Sequence, residues 1–145
     1  MKKLLSLLLT LIIAFSCVSA FADAVPEVSV DEQKVEFDVA PMYVDGVLML
    51  PVRFICEKME KASVVWNEDT QSVIIVTVGA LGEQSVVMIQ LGNDKLFMLD
   101  NAIDLEKAPF ETGGRTLVSA DFFEKAFPNH TCVITDGAVN IKSAF

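Results

Sequence analysis

Apolar and polar positions alternate in short bursts along most of this chain, and the bursts recur in a fixed order. Val28-Ser29-Val30 and Val35-Glu36-Phe37 alternate with the period of half-buried strands. Polar Asp31 to Lys34 between them predicts a hairpin turn. Around Ala40-Pro41 the chain stays extended, since proline disfavours helix in the residue before it. Asp45-Gly46 predicts a tight turn, followed by the short extended piece Leu48 to Leu50. The period then changes. Val52, Ile55, Cys56 and Met59 recur at i, i+3, i+4, i+7, which is one apolar stripe of a short helix with Pro51 at its first position. Two strands, Ser63 to Trp66 and Ser72 to Val78, follow around the turn Asn67 to Gln71.

The same order returns further on. Shifting the chain by 68 residues places Ala40-Pro41 over Ala108-Pro109, Gly46 over Gly114, Phe54 over Phe122, and Val65-Trp66 over Val133-Ile134. The second copy predicts Phe97-Met98-Leu99, a turn at Asp100-Asn101, Ile103 to Leu105, a turn at Gly113-Gly114, and the extended piece Thr116 to Val118. Ser119 stands where Pro51 stood and is expected to cap a helix with the stripe Ala120, Phe123 and Phe127. Thr131 to Thr135 and Ala138 to Lys142 close the unit around Asp136-Gly137. The first unit spans about 26–78 and the second about 95–142, with a linking strand at about 85–91. A unit of this length buries little core alone, so the expected fold is α+β: two β-β-α-β-β repeats, mostly antiparallel sheets packed on two short helices.

The first 22 residues carry a different pattern. Lys2 and Lys3 precede an apolar run from Leu4 to Phe15, and Ala20-Phe21-Ala22 is a small-x-small cleavage site. This predicts a signal peptide over 1–22, a mature domain over 23–145, and a secreted or cell-envelope location with no membrane insertion after cleavage. Cys17, after Ser16 at the end of the run, raises lipidation as an alternative, although Phe15 fits a lipoprotein signal poorly.

Charge narrows the partners. The chain has 20 acidic and 11 basic residues; losing Lys2 and Lys3 leaves 9 basic and a formal charge of −11. Nucleic acid is excluded as a partner, because phosphate binding needs a basic surface.

The string Val35-x-Phe37-Asp38-x-Ala40-Pro41, then Asp45-Gly46-x-Leu48-Met49-Leu50-Pro51-Val52-Arg53-Phe54-Ile55-x-Glu57, then Val65-Trp66-Asn67, resembles the copper amine oxidase N-terminal-like, or stalk, domain family. Gly114-Arg115-Thr116-Leu117-Val118 restates the middle of the pattern. Pro41, Gly46, Pro51, Arg53, Trp66, Pro109, Gly114 and Arg115 are the residues on which the resemblance rests. It implies an extracellular or envelope module of Gram-positive bacteria, without catalysis and without a cofactor. The copper of the amine oxidases sits in a catalytic domain that this sequence lacks. The second copy departs from the pattern at Ser119 and Asp121, which weakens transfer of surface function to it.

Candidate chemistry is sparse. His130, Cys56 and Cys132 would make a three-ligand site for a thiophilic metal if they converged, against the plainer reading of a buried thiol on the helix stripe and a solvated loop histidine. Cys56 and Cys132 are candidates for a disulfide in an exported protein. A carboxylate pair would support glycan hydrolysis, but Asp31, Asp45, Glu68-Asp69, Asp94 and Asp136 sit at turns, where solvation is the default. Arg53 and Arg115 are expected to pair with Glu57 or Glu111, and Trp66 to anchor the core in preference to stacking on a sugar. The expected function is a non-catalytic binding or scaffolding module whose partner is a cell-surface protein or wall polysaccharide. A small extracellular hydrolase and a metal-binding protein are the alternatives.

Overall fold

The computed structural model describes residues 24–59, 61–79, 81–135 and 137–143. The expected signal peptide and Cys17 lie outside the described residues, as does the Asp136 half of one expected turn. In chain order the elements are β1 (Glu27–Val30), β2 (Gln33–Lys34), β3 (Met42–Val44), β4 (Val47–Pro51), α1 (Val52–Lys58), β5 (Ala62–Asn67), β6 (Ser72–Val78), β7 (Gln84–Gln90), β8 (Lys95–Met98), β9 (Asn101–Asp104), β10 (Phe110–Thr112), β11 (Arg115–Ser119), α2 (Asp121–Ala126), β12 (His130–Thr135) and β13 (Ala138–Ser143). The fold is α+β. No helix among the described residues is long and apolar enough to cross a membrane.

Three sheets result, in the orders β12-β13-β1-β2, β10-β11-β4-β3 and β5-β6-β7-β8-β9. The pairing of β1 with β13 is parallel, and the other strand pairs among the described residues are antiparallel. Both outer sheets join the closing hairpin of one half of the chain to the opening hairpin of the other. Between β6 and β8 the strand β7 is inserted, whereas β13 meets β1 directly. The middle sheet is joined by the β4–β11 ladder, in which Met49 faces Ser119, Leu50 faces Val118 and Pro51 faces Leu117. Leu50 and Val118, which meet at its centre, are positions that the 68-residue shift superposes.

One core lies between these sheets and the helices. Val30, Leu50, Ile55, Ile75, Ile89, Leu96, Phe122, Phe123 and Ile141 are all at most 1% exposed and belong to the same cluster. The stripe on α1 behaves as its spacing requires: Val52, Ile55, Cys56 and Met59 are buried. α1 packs on β5 and β11, and α2 on β12 and β8, so each helix bridges two sheets. Around α2, Phe122 and Phe123 meet edge to face with centroids 5.2 Å apart, and Phe127 closes on Phe122 in the same manner at 5.8 Å.

Several local expectations are corrected. The first hairpin turns at Asp31-Glu32 alone, with φ of 46° and 68°, so the return strand is Gln33–Lys34 and Val35 to Phe37 forms no strand. Two successive positive φ values are the geometry of a two-residue hairpin turn, here formed without glycine. The second hairpin turns one residue earlier than expected, at Leu99-Asp100, where Leu99 has φ 52° and its side chain stands in solvent. Pro51 is the last residue of β4, paired with Leu117, and the helix begins after it. Ser119 does not cap α2: it lies in β11 opposite Met49, and its hydroxyl donates to the Lys107 carbonyl at 3.4 Å. The start of α2 is held instead by Asp121, whose Oδ2 accepts from the Glu106 N–H at 3.0 Å and from Lys125 Nζ at 2.6 Å.

Candidate functional site

Trp66 lies on β5, where Ala62, Val64 and Trp66 turn inward while Ser63 and Val65 turn outward. The indole packs against the core cluster with one part left accessible. That part lines a groove of about 250 Å³. Its second wall comes from the start of α1, with Pro51, Arg53 and Phe54; its third comes from the β10–β11 hairpin, with Glu111, Gly114, Arg115 and Thr116. Five of the residues on which the family resemblance rests, Pro51, Arg53, Trp66, Gly114 and Arg115, therefore border one cleft.

The hairpin wall is fixed by its turn and by an ion pair. Gly113 and Gly114 have φ of 56° and 73°, and a Cβ on Gly113 would come within 2.8 Å of Val39 Cγ2. The turn delivers Arg115, whose Nη2 lies 2.6 Å from Asp38 Oδ2 and whose Nε donates to both carboxylate oxygens at 3.1 Å. The guanidinium also sits over the Phe54 ring, 5.2 Å from its centroid. Phe54 is met edge-on by Phe37 at 5.9 Å. Hydrogen bonds from Arg115 hold the Asp38 carboxyl below the usual range, and the same contact raises the guanidinium. Arg115 thus pairs with Asp38 and not with Glu57 or Glu111 as expected. Arg53, Glu111 and the Trp66 indole N–H make no hydrogen bond or ion pair among the described residues, which leaves them available to a ligand.

The remaining candidates lie elsewhere. Cys56 is fully buried on α1 and Cys132 is half-buried on β12, where its Sγ approaches the Ala120 carbonyl at 3.9 Å. Both thiols are free, so the candidate disulfide between them is not formed in the structure. Burial pushes Cys132 up to about 11 and Cys56 higher. His130 opens β12 and is half-buried, not in a solvated loop; it borders a separate hollow of about 120 Å³ with Met59 and Phe127. Burial lowers its pKa. His130, Cys56 and Cys132, the alternative metal ligands, are not brought together: no group of three or more such residues able to hold a metal is found among the described residues. Of the turn acids, Asp45 receives Lys107 Nζ at 2.6 Å, and Asp31 accepts from the Ser143 N–H and hydroxyl at 2.7 and 2.8 Å. Pro41 and Gly46 border other shallow surfaces, and the Pro109 carbonyl accepts from the Gly92 N–H at 2.8 Å, steadying the turn after β7.

The residues of the groove all fall within the span, 29–133, over which the sequence matches the copper amine oxidase N-terminal domain. The chain belongs to that family. Copper amine oxidase N-terminal domains are non-catalytic stalk-type domains. No characterised protein and no solved structure matches the chain. In this copper amine oxidase N-terminal domain the motif residues serve two ends. Pro51 and Gly114 shape the backbone on either side of the groove, Arg115 pins its wall to Asp38, and Arg53 and Trp66 face the open space. Sequence reasoning missed Glu111 and Thr116 as groove residues, since only the hairpin fold of β10 and β11 brings them beside Trp66.

Proposed function

We propose that this chain is an exported, non-catalytic binding or scaffolding module of the cell envelope. Membership of a non-catalytic stalk-type family supports the second part of that reading. The charged start, apolar run and Ala20-Phe21-Ala22 support the first. One observation carries the binding role: the groove between α1, β5 and the β10–β11 hairpin presents Trp66, Arg53 and Glu111 on a pinned frame. A concave surface with an aromatic floor and a few open polar groups is the usual form of a recognition site. The partner is a surface protein or a wall polysaccharide. Tagged mature protein incubated with envelope from the producing cell tests the reading. Saturable recovery of one component is expected, and absence of any saturable component contradicts it. Fractionation of the producing cell tests export, with a mature N-terminus at Asp23 expected.

A further inference from the structure

We propose that the Trp66 groove is a binding site for a carboxylate-bearing sugar ring, an inference that rests on the binding reading above and names its ligand class. The volume sets the scale. At about 250 Å³ the groove falls just under the roughly 300–1,000 Å³ of sites for drug-sized molecules, which suits a single ring. The partly buried indole lines this groove, so its accessible part offers apolar area to the C–H side of such a ring, and its N–H makes no hydrogen bond among the described residues.

The charged groups select among rings. Arg115 is committed to Asp38 and to the Phe54 face, so it forms wall and not ligand. Arg53 is exposed at the start of α1 and carries an uncommitted planar guanidinium, which matches a carboxylate with two parallel hydrogen bonds. Glu111 on the opposite wall only accepts hydrogen bonds when ionised, so it requires donors from the ligand. A sugar acid supplies all three complements: a carboxylate for Arg53, hydroxyl donors for Glu111, and a C–H face for Trp66. An aromatic acid would leave Glu111 facing an apolar ring edge, and an amine without an acid group could pair with Glu111 but would leave Arg53 without an anion.

Trp66 is the chain's single tryptophan, so its fluorescence reports on this groove alone. Purified protein is titrated with glucuronic acid, with glucose and with benzoate. Glucuronic acid is expected to give a saturable change in the millimolar range, as one ring with few contacts allows, and glucose to bind about tenfold more weakly. Arg53→Gln, at an exposed position, is expected to keep the far-ultraviolet circular dichroism of the wild type and to abolish the preference for the acid. Glu111→Gln is expected to weaken both sugars. The proposal is overturned by no saturable response to glucuronic acid, by stronger binding of benzoate, or by an Arg53→Gln protein that still prefers the acid. Envelope recovery separates this outcome from failure of the wider reading. If envelope still binds while glucuronic acid does not, only the ligand class falls; if glucuronic acid binds and envelope does not, the site stands and the envelope role falls.

Discussion

Arg115 reaches back across 77 residues to Asp38, with its Nη2 2.6 Å from the carboxylate, and in doing so ties the β10–β11 hairpin to the segment before β3. Both side chains are partly exposed, so the pair contributes little to global stability. Its consequence is local: the Arg115 plane stays on Phe54 and the groove keeps its wall. Arg115→Ala is expected to lower the melting temperature slightly, by less at high salt, while weakening ligand binding in the groove more than stability. Thermal melts at two salt concentrations, beside a Trp66 fluorescence titration, check this.

Leu50 is fully buried where β4 meets β11, opposite Val118. Leu50→Ala would open a cavity at the junction of the two halves and is expected to cost about 2–5 kcal/mol. Set against a typical total of about 5–15 kcal/mol, this threatens folding itself. Urea unfolding of the two proteins reads the difference as a shift in midpoint with little change in slope.

The acid limb of stability follows from Asp31 and His130. The Ser143 N–H, chiefly, holds the Asp31 carboxyl below its ordinary 3.8, with the Ser143 hydroxyl, His130 and Lys142 adding to it and burial opposing. A carboxyl with a lowered folded pKa contributes stability above its unfolded value, and loses it as pH falls through the folded one. His130 is lowered from 6.5 by burial, against the pull of Asp31. The unfolded chain therefore takes up that proton first, and stability starts to fall below about pH 6.5. Melting temperature against pH is expected to show a shoulder below about 6.5 and a second fall below about 4. Asp31→Asn reduces the lower step, to which Asp38 and Asp45 also contribute through Arg115 and Lys107, and His130→Gln removes the shoulder.

Both cysteines of the described fold should behave as inert thiols. Burial raises Cys132 to about 11 and Cys56 further, so little thiolate exists at neutral pH. A thiol reagent is expected to label neither in the folded protein at an appreciable rate and both after denaturation. Reductant should leave the melting temperature unchanged; a fall on reduction would show a bridge.

Much of this architecture is legible in the sequence because its local signals agree. The stripe Val52, Ile55, Cys56, Met59 has one face, and that face is buried. Asp45-Gly46 and Gly113-Gly114 announce their turns because glycine takes positive φ cheaply. Polar residues mark the turns near Asp31 and Asp100, but not their exact positions, because nothing in Glu32 or Leu99 signals the positive φ each adopts. Ser119 carries the composition of a helix cap but is claimed by the β4–β11 ladder. The groove is less legible still. Trp66, Arg53 and Glu111 are each ambiguous alone, and their meeting depends on how α1, β5 and the β10–β11 hairpin pack. The partner of Arg115 was equally out of reach, because Asp38 is far from it in sequence and Glu111 is near.

The central claim is that this groove is the recognition surface of a non-catalytic module. The most direct measurement is equilibrium binding of purified protein to isolated envelope of the producing cell, comparing wild type with Arg53→Gln and Trp66→Ala after circular dichroism has shown each variant folded. The account predicts a saturable curve for the wild type and affinity reduced about tenfold or more in both variants. Superimposable curves for the three proteins would contradict it.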